Sequence, residues 1–482
     1  MIDFIIKMIN DHKRKCIGLL VILTVTLPSC TKGDDTIYEN VPVYEKGEEQ
    51  LVSQFSVEAF TADNAFGRAI PELSSTEIAF FGVGNAMFDQ SWVSAPASTT
   101  SRDGLGPIFN ARACSACHLN DGRGKPLVTT GANSEGFLLR LSRGNSPTNG
   151  PIPHDIYGGQ LQDASNLGIV KEADIQVDFI YSVGNYADGT TYRLRKPNYS
   201  IINENYGAIQ DVEISPRVGQ HLIGLGFIDA LTEASILANA DPDDLDGDGI
   251  SGKANYVWNV KTRQLSIGKF GWKANQPTLD QQIAGAFNGD MGLTTSIFPK
   301  ENCPHGLDCS QLFNGINPGE TVEIPDTQFA RISLYMAAIS VPIRRNFKNE
   351  DVLKGKQHFK DLGCLSCHAN NFTTGTNTIL PQISNIDIKP FSDFLLHDMG
   401  DELADNRGDF LANGKEWRTQ PLWGLGLIKL VNNHTFLLHD GRARTIEEAI
   451  LWHGGEAAPA KEGFKQLTAT ERNELLQYLN SL

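Results

Sequence analysis

The motif CxxCH occurs twice in this chain, as Cys114-Ser115-Ala116-Cys117-His118 and Cys364-Leu365-Ser366-Cys367-His368. On one helical turn, positions i, i+3 and i+4 share a face, so each copy brings two thiols and an imidazole to bear on a single partner. A c-type haem asks for that set: thioether bonds from Cys114 and Cys117, or from Cys364 and Cys367, and an axial bond from His118 or His368. Zinc and a redox dithiol are the competing readings. Zinc would need two further thiols or imidazoles close to each motif, and a dithiol does not call for the adjacent histidine, so the spacing favours two haems c.

At the N-terminus, Lys13, Arg14 and Lys15 precede an apolar run over 16–27 that is too short to span a bilayer, so residues 1–29 read as an export signal. Its end, Leu27-Pro28-Ser29-Cys30, resembles a bacterial lipoprotein box, in which Cys30 is acylated and becomes the mature N-terminus. Pro28 departs from the commonest pattern, and a plain cleaved signal or an uncleaved anchor is the alternative. The expected location is the bacterial cell envelope, as a periplasm-facing or surface lipoprotein held to the membrane by its lipid. Loss of 1–29 removes four basic and two acidic groups and takes the formal charge from −16 to −18. A chain this acidic is a poor match for nucleic acid and is steered toward basic partners such as a small cationic electron carrier, although solubility is the plainer explanation of the charge.

Of the 8 cysteines, four belong to the CxxCH motifs, Cys30 takes lipid and Cys16 leaves with the signal. In an oxidising periplasm the remaining pair, Cys303 and Cys309 in CPHGLDC, is expected to close a small disulfide loop, with His305 a surface residue inside it.

Residues 30–55 are polar and acidic without periodicity and read as a tether. The segment 340–346 is the candidate linker between an N-terminal haem domain, 56–345, and a C-terminal one, 346–482. Val352, Leu353, Gly355 and Phe359 lead into the second motif, and Leu475, Leu476, Tyr478, Leu479 and Leu482 line a closing helix, the order of a small cytochrome c domain. There is also an internal echo. SPR at 215–217 with LIGLGFI at 222–228 parallels TQP at 419–421 with LWGLGLI at 422–428, and LTEASIL at 231–237 parallels TIEEAIL at 445–451. The expected fold is therefore mainly α: two cytochrome c-like haem domains, the first carrying a large insertion with irregular loops and short β-strands such as 175–181.

Thr445-Ile446-Glu447-Glu448 is a capping box that starts a helix, and Gly454-Gly455 stops it. Within it Ile446, Ala449, Ile450 and His453 follow i, i+3, i+4, i+7, which puts the histidine on the buried face. Beside a haem already held by His368, His453 is a natural sixth ligand; Met399 in HDMG competes through its thioether, and a core histidine bonded to a backbone carbonyl is the bland alternative.

The run HDGRARTIEEA at 439–449, after RTQPLW at 418–423, resembles the bacterial di-haem cytochrome c peroxidases and the di-haem enzyme of methylamine utilisation. In those enzymes the distal ligand of the second haem, a methionine or tyrosine, follows the HDG-like histidine by fourteen positions; here that position is His453. SPRV, GLGF, DGDGISG, KFGWKA, FNGDMG, LLHDMG, EWRTQPLWGLGL and LHDGRARTIEEAILWHGGEA, with both CxxCH copies, are similar to the bacterial di-haem oxidoreductase (DHOR) family from about residue 55 onward. Its members are described as peroxidases or thiol oxidoreductases. The resemblance to the peroxidases implies that the first haem meets peroxide while a six-coordinate second haem supplies electrons. The counterpart of His453 in the first repeat falls near Asn239, which is no ligand, so an open site at haem 1 is compatible with the sequence. Peroxide cleavage needs a base to move a proton between oxygens and a polar group to stabilise charge; His154, Gln160, Gln162 and His221 are the distal candidates, with a solvated or capping role the plainer one for each.

Asp244, Asp246 and Asp248 alternate before a glycine turn, as Ca²⁺ prefers, but Asn255 stands where an EF-hand has its bidentate glutamate, and a solvated acidic turn fits as well. Trp272, Trp423 and Trp452 are packing residues or an electron bridge. His397 and His439, each followed by aspartate, orient a propionate or a loop. The sequence thus points to an exported, lipid-anchored di-haem oxidoreductase that reduces hydrogen peroxide or a related small oxidant at haem 1. Electrons would come through haem 2 from a periplasmic donor such as a small cytochrome or cupredoxin. A pure electron-transfer cytochrome, and an oxidase acting on a thiol or a partner protein, are the alternatives.

Overall fold

Two pairs of crossing helices frame the two CxxCH motifs: Ser75–Asp89 with Asp326–Ala338, and Glu350–Asp361 with Ala469–Ser481. The computed structural model describes residues 42–58, 61–131, 136–303, 308–312 and 314–482. The export signal, Cys30, the tether up to residue 41 and His305 lie outside the described residues. Ser74 with Glu77, and Thr468 with Glu471, close capping boxes that satisfy the first amides of one helix in each pair. Each crossing is made at a glycine. A Cβ on Gly84 or on Gly355 would run into the backbone carbonyl of Arg331 or Glu474, and each glycine abuts a tyrosine, Tyr335 or Tyr478. Only a residue without a side chain lets these backbones approach so closely.

The echoing segments meet each other. Gly224 (φ 73°) and Gly424 (φ 74°) both take the left-handed conformation that suits glycine, and Gly224 packs on Trp423 while Gly424 packs on Ile223. Each touches the residue just before the other glycine, which is the reciprocity of a two-fold relation.

The expectation of a mainly α fold of two cytochrome c-like domains is overturned. Helix accounts for 28% and strand for 19% of the described residues, the strands forming seven two-stranded sheets among them. The largest is a hairpin of Asp174–Asn185 with Thr191–Ile202, antiparallel over 12 residues and closed by a turn whose Thr190 amide and hydroxyl donate to Asp188. Its alternation is legible only at the buried end, where Ile175 and Val177 point inward; Ile180 and Val183, beyond, are exposed. An apolar pattern that stops half-way looks like a short strand when the partner is unknown. The strands Phe137–Ser142 and Glu213–Val218 pair beside it and carry Arg140 and Arg217 toward the first motif.

One hydrophobic core runs from Leu51 to Leu482 and includes both helix pairs, while a smaller one around Leu127, Leu139, Leu141 and Leu161 underlies the insertion. Leu51, Val52 and Phe55, in the segment read as a tether, are buried, as are Ser340, Val341 and Arg344 in the segment read as a linker. No helix among the described residues is long and apolar enough to cross a membrane.

Candidate active site

Both motifs open into one cavity of about 730 Å³. Cys114–Cys117 form a single helical turn and Cys364–Ser366 a 3-10 turn, so each sets its thiols and histidine on the cavity wall. Burial pushes the thiols of Cys114, Cys117 and Cys364 up to about 12. Among the described residues, the one group of possible metal ligands that includes a motif cysteine is Cys367, Asp393 and His397. Both ring nitrogens of that histidine are taken, Nε2 by Asp393 at 2.8 Å and Nδ1 by Glu456 at 2.7 Å.

Three imidazoles on the wall share one wiring. His118 Nδ1 faces the Gly122 carbonyl at 3.3 Å, His368 Nδ1 that of Phe391 at 2.9 Å and His453 Nδ1 that of Ala449 at 2.7 Å. Each ring must donate its Nδ1 proton there, which leaves the Nε2 lone pair for a metal. Burial lowers the pKa of all three, that of His368 to about 4, so the rings stay neutral as ligation requires.

His453 ends the helix Ile446–Trp452, which Thr445 caps by accepting from the Glu448 amide at 3.1 Å. Ile446, Ala449, Ile450 and His453 all line the cavity. Met399 lines it too, so both sequence candidates for the sixth ligand of haem 2 share its wall.

Four arginines reach the same space: Arg123, Arg140, Arg217 and Arg418. Burial pulls the guanidinium pKa down to about 10 for Arg123 and Arg217 and about 9 for Arg418. Nη2 of Arg217 and Nη1 of Arg418 are buried with no hydrogen-bond partner, although Asp405 at 3.6 Å and Asp409 at 4.0 Å form ion pairs with Arg217. Orphaned guanidinium nitrogens are costly unless an anion completes them, and a haem propionate is such an anion. Fixed tautomers and partnerless guanidinium nitrogens together fit two haems. His118 and His368 would ligate them, the four cysteines would tether them, and Arg217 and Arg418 would meet their carboxylates.

The four candidates for the distal side of haem 1 separate. His154 accepts at Nδ1 from the amides of Ile156 (3.1 Å) and Tyr157 (3.3 Å), closing a local turn away from the cavity. Gln160 and Gln162 lie behind the wall, where Gln160 Nε2 donates to Asp290 Oδ1 at 2.8 Å and Gln162 Nε2 to the Gly289 carbonyl at 2.8 Å. Only His221 is on the wall, its ring against Phe66, its Nδ1 buried without a partner and its pKa pushed down to about 3 by burial and nearby cations.

Asp290 and the wall arginines Arg123, Arg140, Arg217 and Arg418 escaped the sequence reading as site groups, while His439, read as orienting a propionate or a loop, also stands on the wall. Gln282, Ala286 and Asp290 stand at i, i+4 and i+8 of the helix Leu279–Met291, a periodicity that could have exposed the first. His439 repeats the ligand wiring: Nδ1 meets the Pro216 carbonyl at 3.0 Å and Nε2 is buried with no partner. Its ring stacks on Trp417, with centroids 3.9 Å apart and an interplanar angle of 14°.

Trp272 and Trp423 line the cavity; Trp272 Nε1 donates to the Val218 carbonyl at 2.8 Å, and Trp423 is fully buried. Trp452 lies behind it, under Arg442. In the acidic turn, Asp244 and Asp246 group with Asp241 rather than with Asp248. Asp241, Asp244, Asp246 and Asp248 each accept backbone amides of the turn, which is how an acidic turn holds itself. Cys303 and Cys309 are joined by a disulfide, their Cα atoms 6.0 Å apart.

Against known proteins, the family model described as "Di-haem oxidoreductase, putative peroxidase" matches residues 53–482. No curated protein matches.

Proposed function

The chain belongs to the di-haem oxidoreductase family, and from that premise we propose that it is an exported di-haem c enzyme that reduces hydrogen peroxide or a related small oxidant at haem 1. Electrons arrive through haem 2 from a periplasmic donor, a small cytochrome or cupredoxin. The observation that carries this reading is the inequality of the two repeats. Thr445 caps a helix that delivers His453 to the cavity wall, whereas Thr232 caps the matching helix Glu233–Leu237, which leads only to Asn239. Asn239 is exposed, off the wall, with its amide donating back to the Ser235 carbonyl at 3.3 Å. On this reading His453 would complete the coordination of haem 2, and the matching helix offers haem 1 no counterpart.

Access supports the same division. The exposed residues on the cavity wall are Asp248, Gly363, Ser366 and Pro459; two of these belong to or precede the second motif and Pro459 follows His453. These residues offer a protein donor an approach to the second motif.

When bound, the haems supply the iron-centred redox chemistry. The chain's own residues would hold the ligand tautomers and meet the propionates. Export and lipid attachment rest on the basic and apolar N-terminus and on Cys30.

A second reading, pure electron transfer with both irons six-coordinate, is favoured by the unclaimed Nε2 of His439. The two differ in one mixing experiment. A single equivalent of hydrogen peroxide should oxidise both haems of the fully reduced holoprotein, two electrons per peroxide; a reduced spectrum that persists contradicts the peroxidase reading.

A further inference from the structure

The helix Leu279–Met291 ends beside the first motif, and its last turn is pinned there by the main chain. The Asp290 carbonyl accepts the amides of Asn110 at 2.8 Å and Ala111 at 3.1 Å, just ahead of Cys114. Its side chain is fixed as well, because Oδ1 accepts from Gln160 Nε2, whose amide group also donates to Asn110 Oδ1 at 2.6 Å. The carboxylate lines the cavity with Cys114, Cys117 and His118 and is among the charges that act on each of them.

Arg140, on the strand Phe137–Ser142, lines the same cavity, and Asp290 is first among the acidic groups that act on it. The strand and the loop that holds Asp290 are one unit. Arg140 bridges Gln160 in antiparallel fashion, flanked by Leu141 N to Gly159 O at 2.9 Å and Leu161 N to Leu139 O at 3.0 Å. One scaffold therefore sets the positions of an anion and a cation on the cavity wall that the first motif shares, with neither group spent on an ion pair to the other within 4.0 Å.

We propose that Asp290 is the proton-transferring catalytic residue at haem 1, that Arg140 stabilises the charge that develops there, and that Gln160 is the residue that positions Asp290. The assignment rests on the peroxidase reading. Asp290 takes the proton from one oxygen of hydrogen peroxide and returns it to the other, which leaves as water as the O–O bond breaks. Arg140 offsets negative charge on that leaving oxygen. The retained oxygen is reduced to the second water by two electrons from the periplasmic donor and two protons from solvent, so that one peroxide, two electrons and two protons become two waters.

Cyanide binding tests this apart from turnover, since hydrogen cyanide must give up its proton to bind as the anion. Association is followed by the Soret shift of purified holoprotein, oxidised and half-reduced, at pH 7. Asp290→Asn should slow it by about 100-fold, the lower range for loss of a positioned proton acceptor, with the haem 2 spectrum intact. Asp290→Glu, which keeps a carboxylate, should recover most of the rate. Should Asp290→Asn fail to take up haem, Gln160→Ala, which frees the carboxylate to swing, should slow association by about ten-fold, and an unchanged rate there overturns the assignment. A wild-type rate in Asp290→Asn overturns it while leaving the peroxidase reading in place. A wild-type protein that binds no cyanide in either redox state overturns both.

Discussion

Gln220 and Gln420 stand 200 positions apart and share one hydrogen bond, Gln220 Nε2 donating to Gln420 Oε1. Both line the cavity, between the two CxxCH motifs, and Gln420 Oε1 also accepts from Arg418 at 2.8 Å. With the reciprocal contacts of Gly224 and Gly424, this pair marks an internal two-fold relation. Where two halves are so nearly equivalent, a departure from equivalence carries information. The departure here is His453, which has no counterpart at the end of the helix Glu233–Leu237.

Replacing His453 by alanine should convert haem 2 from low-spin to high-spin in the oxidised protein and leave haem 1 as it was. Met399→Ala is the companion measurement. Optical and magnetic spectra that change in Met399→Ala and not in His453→Ala would transfer the ligand role to the thioether.

The helix crossings predict opposite outcomes for two glycines of one helix. A methyl at Gly84 meets the Arg331 carbonyl and the Tyr335 side chain, whereas a methyl at Gly82 meets nothing within 4 Å. Gly84→Ala should cost about 1–3 kcal/mol through overpacking. Gly82→Ala should gain about 0.5–1 kcal/mol by removing backbone freedom from the unfolded chain. Thermal or urea unfolding of the two variants checks both signs.

Glu172 supplies a pH dependence. It is 2% exposed, and burial raises its carboxyl from 4.5 to about 8 against the opposing bond from the Gln162 amide at 2.6 Å. Between those values the folded protein holds a proton that the unfolded chain releases, so this group makes stability fall as pH rises through the window. At about 1.4 kcal/mol per pKa unit, the decline amounts to a few kcal/mol by pH 8. Glu172→Gln keeps the acceptor for Gln162 and should flatten the decline; urea midpoints at pH 5 and pH 8.5 that move as in the parent protein would contradict it.

Mass spectrometry of the mature protein should find an N-terminus at Cys30 carrying acyl chains. Any other terminus contradicts the lipoprotein expectation.

The two haems were legible because the signal is local: five consecutive residues make up each CxxCH motif. The echo was legible because GLG recurs with the same order of elements around it. What stayed hidden is what long-range contact creates. The Nδ1 of His439 is fixed by a carbonyl 223 positions away, and Asp290 is held by a glutamine 130 positions away, so neither role can be read from neighbours in sequence. The β content was hidden for a related reason: the outer half of the strand Asp174–Asn185 buries no side chain to impose alternation, and only its partner strand defines it. His154 illustrates the converse, a histidine that looked available and is consumed by its own turn.

The inequality of the two haems is tested most directly by low-temperature electron paramagnetic resonance of the purified holoprotein, oxidised and half-reduced. One low-spin haem persisting beside a second iron that is high-spin, or becomes open to exogenous ligand, in at least one of the two states is the expected result. Two low-spin signals in both states, neither altered by added ligand, would contradict it.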